Sequence, residues 1–118
     1  MTVQGYARKF DEIEEKDLQG GGKIRWLITH KDGAPNFSMR LITVKAWGST
    51  PAHSHEYEHE IYVIEGKGTA TIGAKKFEVS KDSFLFIPGN EYHTINATTD
   101  MKMICVVPIS AAKEILGE

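Results

Sequence analysis

The chain has 118 residues, a formal net charge of −2 and a single cysteine. This length suits one domain with its own core. A composition of 41% hydrophobic and 25% charged residues is that of an ordinary soluble globular protein. The weak negative charge excludes an electrostatic footprint for nucleic acid or anionic membranes, so we predict neither as a partner.

The cysteine count and the N-terminal residues predict a cytoplasmic location. Cys105 has no second cysteine to pair with, and a lone thiol suits a reducing compartment. The N-terminus, MTVQGYARKFDEIEE, has polar and acidic residues where a signal peptide needs an apolar segment. No apolar run approaches the ~20 residues that span a bilayer.

Turn signals divide the chain into an N-terminal arm at 1–22, ending in three glycines, and a body at 23–118. Short apolar runs in the body predict an all-β antiparallel sandwich or barrel. The tail at 110–118 predicts a short C-terminal helix, with Ser110 as N-cap and Gly117 at its end. The predicted strands cover 23–31, 37–46, 60–66, 69–73, 76–79, 83–87, 92–96 and 101–107.

Four of the five histidines are placed where one small barrel could bring them together. His53, His55 and His59 fall within seven residues, and His93 follows an apolar strand and a proline turn. Side chains alternate along a strand, so His59 shares the interior face with Ile61 and Val63, and Glu60 faces away. His30 stands apart from this group, and we predict a structural or surface role for it.

Four histidine side chains placed close together predict a metal site. Neutral imidazole suits zinc, copper, iron and nickel, and four such ligands leave open positions on a six-coordinate ion. The alternative is a polar network without metal, which would leave many ring nitrogens to satisfy. Four neutral ligands also leave a divalent ion at +2, which favours an anionic co-ligand.

These two segments resemble the two motifs of the cupin superfamily. His53, His55 and His59 stand as HxHx₃H with Gly66 after six more residues, so histidine occupies the family's glutamate position. The second motif is met by Pro88 and His93, with Asn90 in place of the usual glycine. The match is closest to a small bacterial and archaeal group with a four-histidine site.

The resemblance implies a double-stranded β-helix, a jelly-roll-like barrel, with metal ligands His53, His55, His59 and His93. It implies a divalent ion, with manganese or iron expected and nickel, zinc or copper also able to bind, and a homodimer that binds a small molecule. Arg40 could place a cation in the cavity for an acid substrate or be exposed on its strand, and Cys105 is read first as a small buried hydrophobe. The residues predicted to line the cavity are Phe37, Met39, Arg40, Trp47, Phe84, Phe86 and Cys105.

Three functions remain open on these residues. The first is a metalloenzyme, an oxygenase or a lyase or isomerase, that acts on a small oxygenated or anionic compound. The second is a metal-dependent binding or sensor module without turnover, and the third is a barrel whose metal is structural. Fold resemblance cannot choose among them, because one fold hosts many chemistries.

Overall fold

The computed structural model describes residues 3–118 and consists of two antiparallel sheets and one C-terminal helix. Single 3₁₀ turns lie at Phe10–Glu12 and His30–Asp32. This confirms the predicted all-β class with a short helix. The elements are β1 (Glu15–Asp17), β2 (Gly22–Ile28), β3 (Phe37–Val44), β4 (His59–Glu65), β5 (Lys67–Ile72), β6 (Lys75–Ser80), β7 (Phe84–Ile87), β8 (His93–Ala97), β9 (Met101–Pro108) and α1 (Ile109–Leu116).

The larger sheet has six strands in the order β1-β2-β3-β9-β4-β7, and the smaller has three in the order β6-β5-β8. One apolar core joins them, with Ile61 and Met103 from the larger sheet and Ala70 and Ile95 from the smaller. Alternation produces this core directly, because every second residue of β9 is buried from Met101 to Val107. Among residues 3–118, no helix is long and apolar enough to cross a membrane.

The structure differs from the sequence-based prediction at β1 and at the start of the helix. β1 was not predicted, because Glu15-Lys16-Asp17 carries charges on both faces; it forms by pairing with β2, Lys16 opposite Ile24. The helix begins at Ile109, with Pro108 and not Ser110 as its N-cap, because β9 runs directly into it. Gly117, with a φ of 87°, ends the helix as predicted.

The described part of the predicted arm lies on its own body. β1 pairs with β2, and the ring of Phe10 lies 5.4 Å from the guanidinium carbon of Arg25 and 5.2 Å from the Lys102 ammonium nitrogen. Both cationic side chains are on the outer face of the larger sheet, so the arm covers part of that face. The arm's first two residues lie outside the described residues.

Candidate metal centre

The backbone holds the histidine-bearing segments together before any ion is considered. The amide of His53 donates to the carbonyl of His93 at 3.2 Å, and the amide of His93 donates back at 2.9 Å. This antiparallel pair fastens the β3–β4 connection to the start of β8. His59 opens β4 and points inward, as the alternation predicts.

The proline turn of the second motif supports the first motif from outside. The amide of Asn90 donates to the carbonyl of His55 at 2.6 Å. A Cβ on Gly89 would lie 2.3 Å from the carbonyl oxygen of Glu56, so only glycine permits this approach. Asn90 has a φ of 67°, the left-handed conformation that asparagine tolerates better than most residues.

Three histidines form a group that could hold a metal ion. Ring nitrogens of His53, His55 and His93 all lie within 4.8 Å of one another. The ring centroids are 4.8 Å apart for His53 and His55 and 5.0 Å apart for His53 and His93. Such spacing lets three rings converge on one ion after small side-chain adjustments.

Two of these rings are set in the tautomer that metal binding needs. A carbonyl can only accept, so the Nδ1 of His55 donates to the carbonyl of Tyr57 at 3.0 Å, and the Nδ1 of His93 donates to that of Glu91 at 2.9 Å. Each Nε2 is therefore left with a lone pair. The Nε2 of His93 is buried without a hydrogen-bond partner in the described chain. A buried lone pair of this kind is suited to binding a metal ion.

His59 adjoins this group and has a different surrounding. Its Nε2 lies 2.7 Å from the Nε2 of His55, and its Nδ1 lies 3.0 Å from both the Sγ of Cys105 and the Nη2 of Arg40. A guanidinium has no acceptor. The Nδ1 of His59 therefore accepts from Arg40, and its Nε2 carries the ring proton. Binding of an ion through Nε2 would move this proton to Nδ1, where only the Sγ of Cys105 can accept it.

Desolvation keeps the imidazoles of His53 and His59 neutral by lowering their pKa values. Desolvation, followed by the positive charge of Arg40, lowers the pKa of His59 to about 2. Desolvation, followed by the His93 ring, lowers the pKa of His53 to about 4. Neutral rings offer the lone pairs that a metal ion needs, so the site is ready for an ion across the physiological pH range.

The histidines open into a cavity of about 530 Å³ between the two sheets. Its walls are mostly apolar, with Ile61, Ile87 and Met103 among them. The β1 strand, the loop at Thr50 and Pro51 and the end of α1 also contribute to its lining. A space of this size suits a small organic molecule.

Of the predicted lining residues, the structure brings only Arg40 and Cys105 to the cavity. Strand alternation explains the rest, because inward-facing Ser38 and Arg40 leave Phe37 and Met39 on the outer face of β3. Phe84 and Phe86 likewise face outward on β7, whose Leu85 and Ile87 are buried. Trp47 lies in the turn after β3 and is 84% exposed.

Sequence reasoning missed two aromatic residues of the cavity. Trp26, on the inward face of β2, covers the guanidinium of Arg40 at 5.1 Å. Tyr57 stacks on the ring of His55, with centroids 3.8 Å apart and an interplanar angle of 13°. The shared face of Ile24 and Trp26 was a usable signal for the first; no sequence pattern indicated the turn that brings Tyr57 over His55.

His30 lies outside the centre, in agreement with its predicted structural role. Its Nε2 is 2.6 Å from the carbonyl oxygen of Gly117, just beyond α1. This contact holds the end of the helix whose Ile115 and Leu116 line the cavity.

Comparison with known proteins identifies the family of this chain. The profile of the Cupin domain family matches residues 40–107. L-ectoine synthase of Nocardia farcinica is 32% identical over 107 residues, covering 84% of this chain and 79% of that protein. Uncharacterized protein MJ1618 of Methanocaldococcus jannaschii is 27% identical over 111 residues, covering 89% and 87%. The polyketide cyclase RemF from Streptomyces resistomycificus superposes with a TM-score of 0.81 at 28% identity, covering 90% and 80%.

Proposed function

Because the chain belongs to the cupin family, we propose that it is a small metalloenzyme acting on a small oxygenated or anionic compound, as an oxygenase or as a lyase or isomerase. The observation that carries the proposal is the group of His53, His55 and His93, with ring nitrogens within 4.8 Å, at an apolar cavity. Apolar walls exclude water and strengthen electrostatic interactions with a bound compound.

We propose His59 as the fourth ligand, beside His53, His55 and His93. Its support is the 2.7 Å separation between its Nε2 and that of His55, which one ion contacting both atoms would replace. Manganese or iron is the proposed ion, and nickel, zinc or copper would fit the same donors. When bound, a divalent ion supplies Lewis-acid activation of an oxygen atom.

The chain's own residues orient these donors. The carbonyls of Tyr57 and Glu91 fix the Nδ1 protons of His55 and His93. Stacking of Tyr57 restricts the His55 ring further. Burial of Cys105 beside His59 provides an acceptor that solvent cannot displace. Preorganised donors of this kind are held in place by the fold before the ion arrives.

A binding module without turnover is the second candidate. It is favoured by the cavity lining, in which Asp17 is the only carboxylate among the described residues and is exposed and paired with Lys23 at 2.5 Å. Catalysis is favoured by two of the three relatives named above, because one is a synthase and one is a cyclase. Consumption of O₂ or conversion of carbonyl or diol compounds by the metal-loaded protein would decide for the enzyme. Ligand-induced thermal shifts without product would decide for the module.

The ligand set is tested by elemental analysis of His59→Ala and Glu60→Ala proteins beside the parent chain. Glu60 is adjacent but faces outward, so it is the matched control. We expect the bound metal to be lost or much reduced in His59→Ala and retained in Glu60→Ala. Full metal content in both variants would remove His59 from the ligand set.

We propose a homodimer formed through the outer face of the larger sheet. Phe37, Phe84 and Phe86 are exposed on this face, and the half-buried Ile104 and Val106 lie between their strands. Two copies can cover such a patch with the same surface on each side. Light scattering should give a dimer at micromolar concentration and a monomer for Phe84→Glu. Phe77→Glu, on the smaller sheet, should stay dimeric; a monomeric parent chain would contradict the proposal.

A cytoplasmic location without a nucleic-acid partner remains part of this proposal. Its support is the unpaired, buried thiol of Cys105 and the net charge of −2. A buried lone thiol suits a reducing compartment, and a net negative charge disfavours binding to phosphate groups.

A further inference from the structure

Arg40 is a buried cation without a counter-ion among residues 3–118. Its side chain lies on the inner face of β3, opposite Cys105 of β9, and the residue is only 6% exposed. Ion pairs within residues 3–118 involve Arg8, Lys23, Arg25 and Lys45, and none includes Arg40. Burying an unpaired charge is costly. Because no ion pair in the described residues offsets this free-energy cost, the burial of Arg40 points to a function.

The hydrogen bonding of Arg40 is incomplete. Both of its hydrogen bonds in the described chain leave from Nη2, one to the Sγ of Cys105 at 2.8 Å and one toward the Nδ1 of His59 at 3.0 Å. Its Nε is buried with no partner. The thiol and the imidazole carry no formal negative charge in their neutral forms, so neither balances the guanidinium. An anion that entered the cavity would meet this charge in a desolvated setting.

The cavity suits a monoanion with an apolar body. Trp26 covers the guanidinium at 5.1 Å, and Ile24, Ile42 and Ile61 continue the apolar wall. Arg40 is the one buried cation among the described lining residues, since Lys16 is exposed at the rim. At the Arg40 end of the cavity, away from any ion at the histidines, one guanidinium balances one carboxylate, whereas a phosphate dianion would leave a negative charge there.

We propose that Arg40 is a carboxylate-binding residue of this cavity, so that the ligand is a small monocarboxylic acid with an apolar body whose other end reaches the histidine group. This inference rests on the proposed function for the end of the ligand at the histidines. The Arg40 end does not depend on the metal. A carboxylate there would accept hydrogen bonds from the guanidinium and supply the missing counter-charge.

The test compares acids with their uncharged amides of the same shape. Calorimetry measures the binding of straight-chain acids from acetate to octanoate, benzoate and 3-phenylpropionate, each beside its amide. The proteins are the parent chain, Arg40→Met, Arg40→Lys and the rim control Lys16→Met, each in metal-free and Zn²⁺-loaded form. Circular dichroism and melting curves confirm that each variant is folded.

We expect the best-fitting acid to bind the parent chain at least 10-fold more tightly than its amide. Arg40→Met should lose this preference while binding the amide unchanged, Arg40→Lys should keep part of it, and Lys16→Met should keep all of it. If Arg40→Met does not fold, the comparison of Arg40→Lys with Lys16→Met decides, because only the former should weaken acid binding.

Two results would overturn the inference. One is equal binding, or no binding, of acids and amides across the series by the parent chain; the other is an acid preference that survives in Arg40→Met or is undiminished in Arg40→Lys. The metal proposal fails separately. If the chain prefers acids but does not take up Zn²⁺, the role of Arg40 stands and the metal proposal fails. If it takes up Zn²⁺ but shows no acid preference, the metal proposal stands and the role of Arg40 fails.

Discussion

At the scale of single residues, the surroundings of the His59 Nδ1 determine what that ring can do. Arg40 Nη2 and Cys105 Sγ both lie 3.0 Å from the nitrogen, but only the sulfur could accept a proton from it once Nε2 binds an ion. A metal ligand needs its second nitrogen oriented in this way. In the proposed site, Cys105 is therefore the residue that would orient His59 for an ion, whereas its apolar neighbours in the sequence predicted a plain core residue.

Replacing Cys105 should therefore weaken metal binding according to the acceptor that remains. We expect Cys105→Val to lower metal affinity about 10-fold or more, the range seen when such supporting partners are lost, and Cys105→Ser to retain most of it. Chelator competition measures both affinities. Met103→Leu, the previous inward residue on β9, is the control for core packing. An affinity for Cys105→Val equal to that of the parent chain would show that the sulfur does not orient His59.

Burial of His59 also predicts how the metal-free protein responds to acid. The pKa of this ring falls from its ordinary 6.5 to about 2, so between these values the unfolded chain binds a proton that the folded chain does not. Stability should therefore fall as the pH drops below about 6.5, and one such group contributes about 1.4 kcal/mol per pH unit. Urea unfolding in EDTA at pH 7, 6, 5 and 4 measures this slope.

His59→Asn removes that titration and is the comparison for the slope. The variant should show a shallower loss of stability between pH 6 and pH 4 than the parent chain. Other histidines of the group, including His53 with a pKa near 4, leave a residual slope in both proteins. Identical pH profiles would mean that His59 is protonated as easily in the folded chain as in the unfolded chain.

At the scale of elements, the proline turn before β8 acts as a support for the histidine loop. Gly89 brings the turn within reach of the Glu56 carbonyl, and the Asn90 amide then bonds the His55 carbonyl at 2.6 Å. Gly89→Ala would force these two segments apart. We expect a loss of about 1–3 kcal/mol in the free energy of unfolding, as for other overpacked sites, together with weaker metal binding.

Thermal unfolding and chelator competition measure the two effects of Gly89→Ala. Gly5→Ala is the matched control, because nothing lies within 4 Å of a Cβ at that position. A variant at Gly89 with unchanged stability and affinity would show that the turn can move away without disturbing His55.

Element patterns in the sequence predicted the inward-facing residues well where strands are half-buried. His59, Ile61 and Val63 alternate with exposed or half-exposed neighbours in β4, and parity alone predicts that His59 faces inward. Hydrophobicity misled for the aromatic residues, because it suggested an interior place for Phe37 and Phe86, whereas the alternation along their strands turns them outward. β1 was invisible for the opposite reason, since its charged residues pair only because β2 offers an edge.

At the scale of the whole molecule, the three-histidine group and the adjoining His59 connect parts of the fold that are otherwise separate. His59 belongs to β4 of the larger sheet, His93 to β8 of the smaller sheet, and His53 and His55 to the segment that connects β3 with β4. The motif spacing predicted that these residues would meet. It could not predict most of the lining of the cavity beside them, because Trp26, Tyr57 and the end of α1 reach the cavity only through packing of distant segments.

An ion held by His53, His55, His59 and His93 would tie the two sheets together, so metal removal should destabilise the whole domain. A ligand that binds only the folded state adds about 4 kcal/mol of stability at a free concentration 1,000 times its Kd. We therefore expect the melting temperature to fall when a chelator removes the ion and to recover when the ion returns. His93→Ala should melt at the same temperature with or without the ion, and Glu60→Ala should respond as the parent chain does. Equal melting temperatures for metal-loaded and metal-free parent protein would contradict a site that links the sheets. A large shift in melting temperature, in a protein that neither binds nor converts any small molecule, would assign the ion a structural role alone.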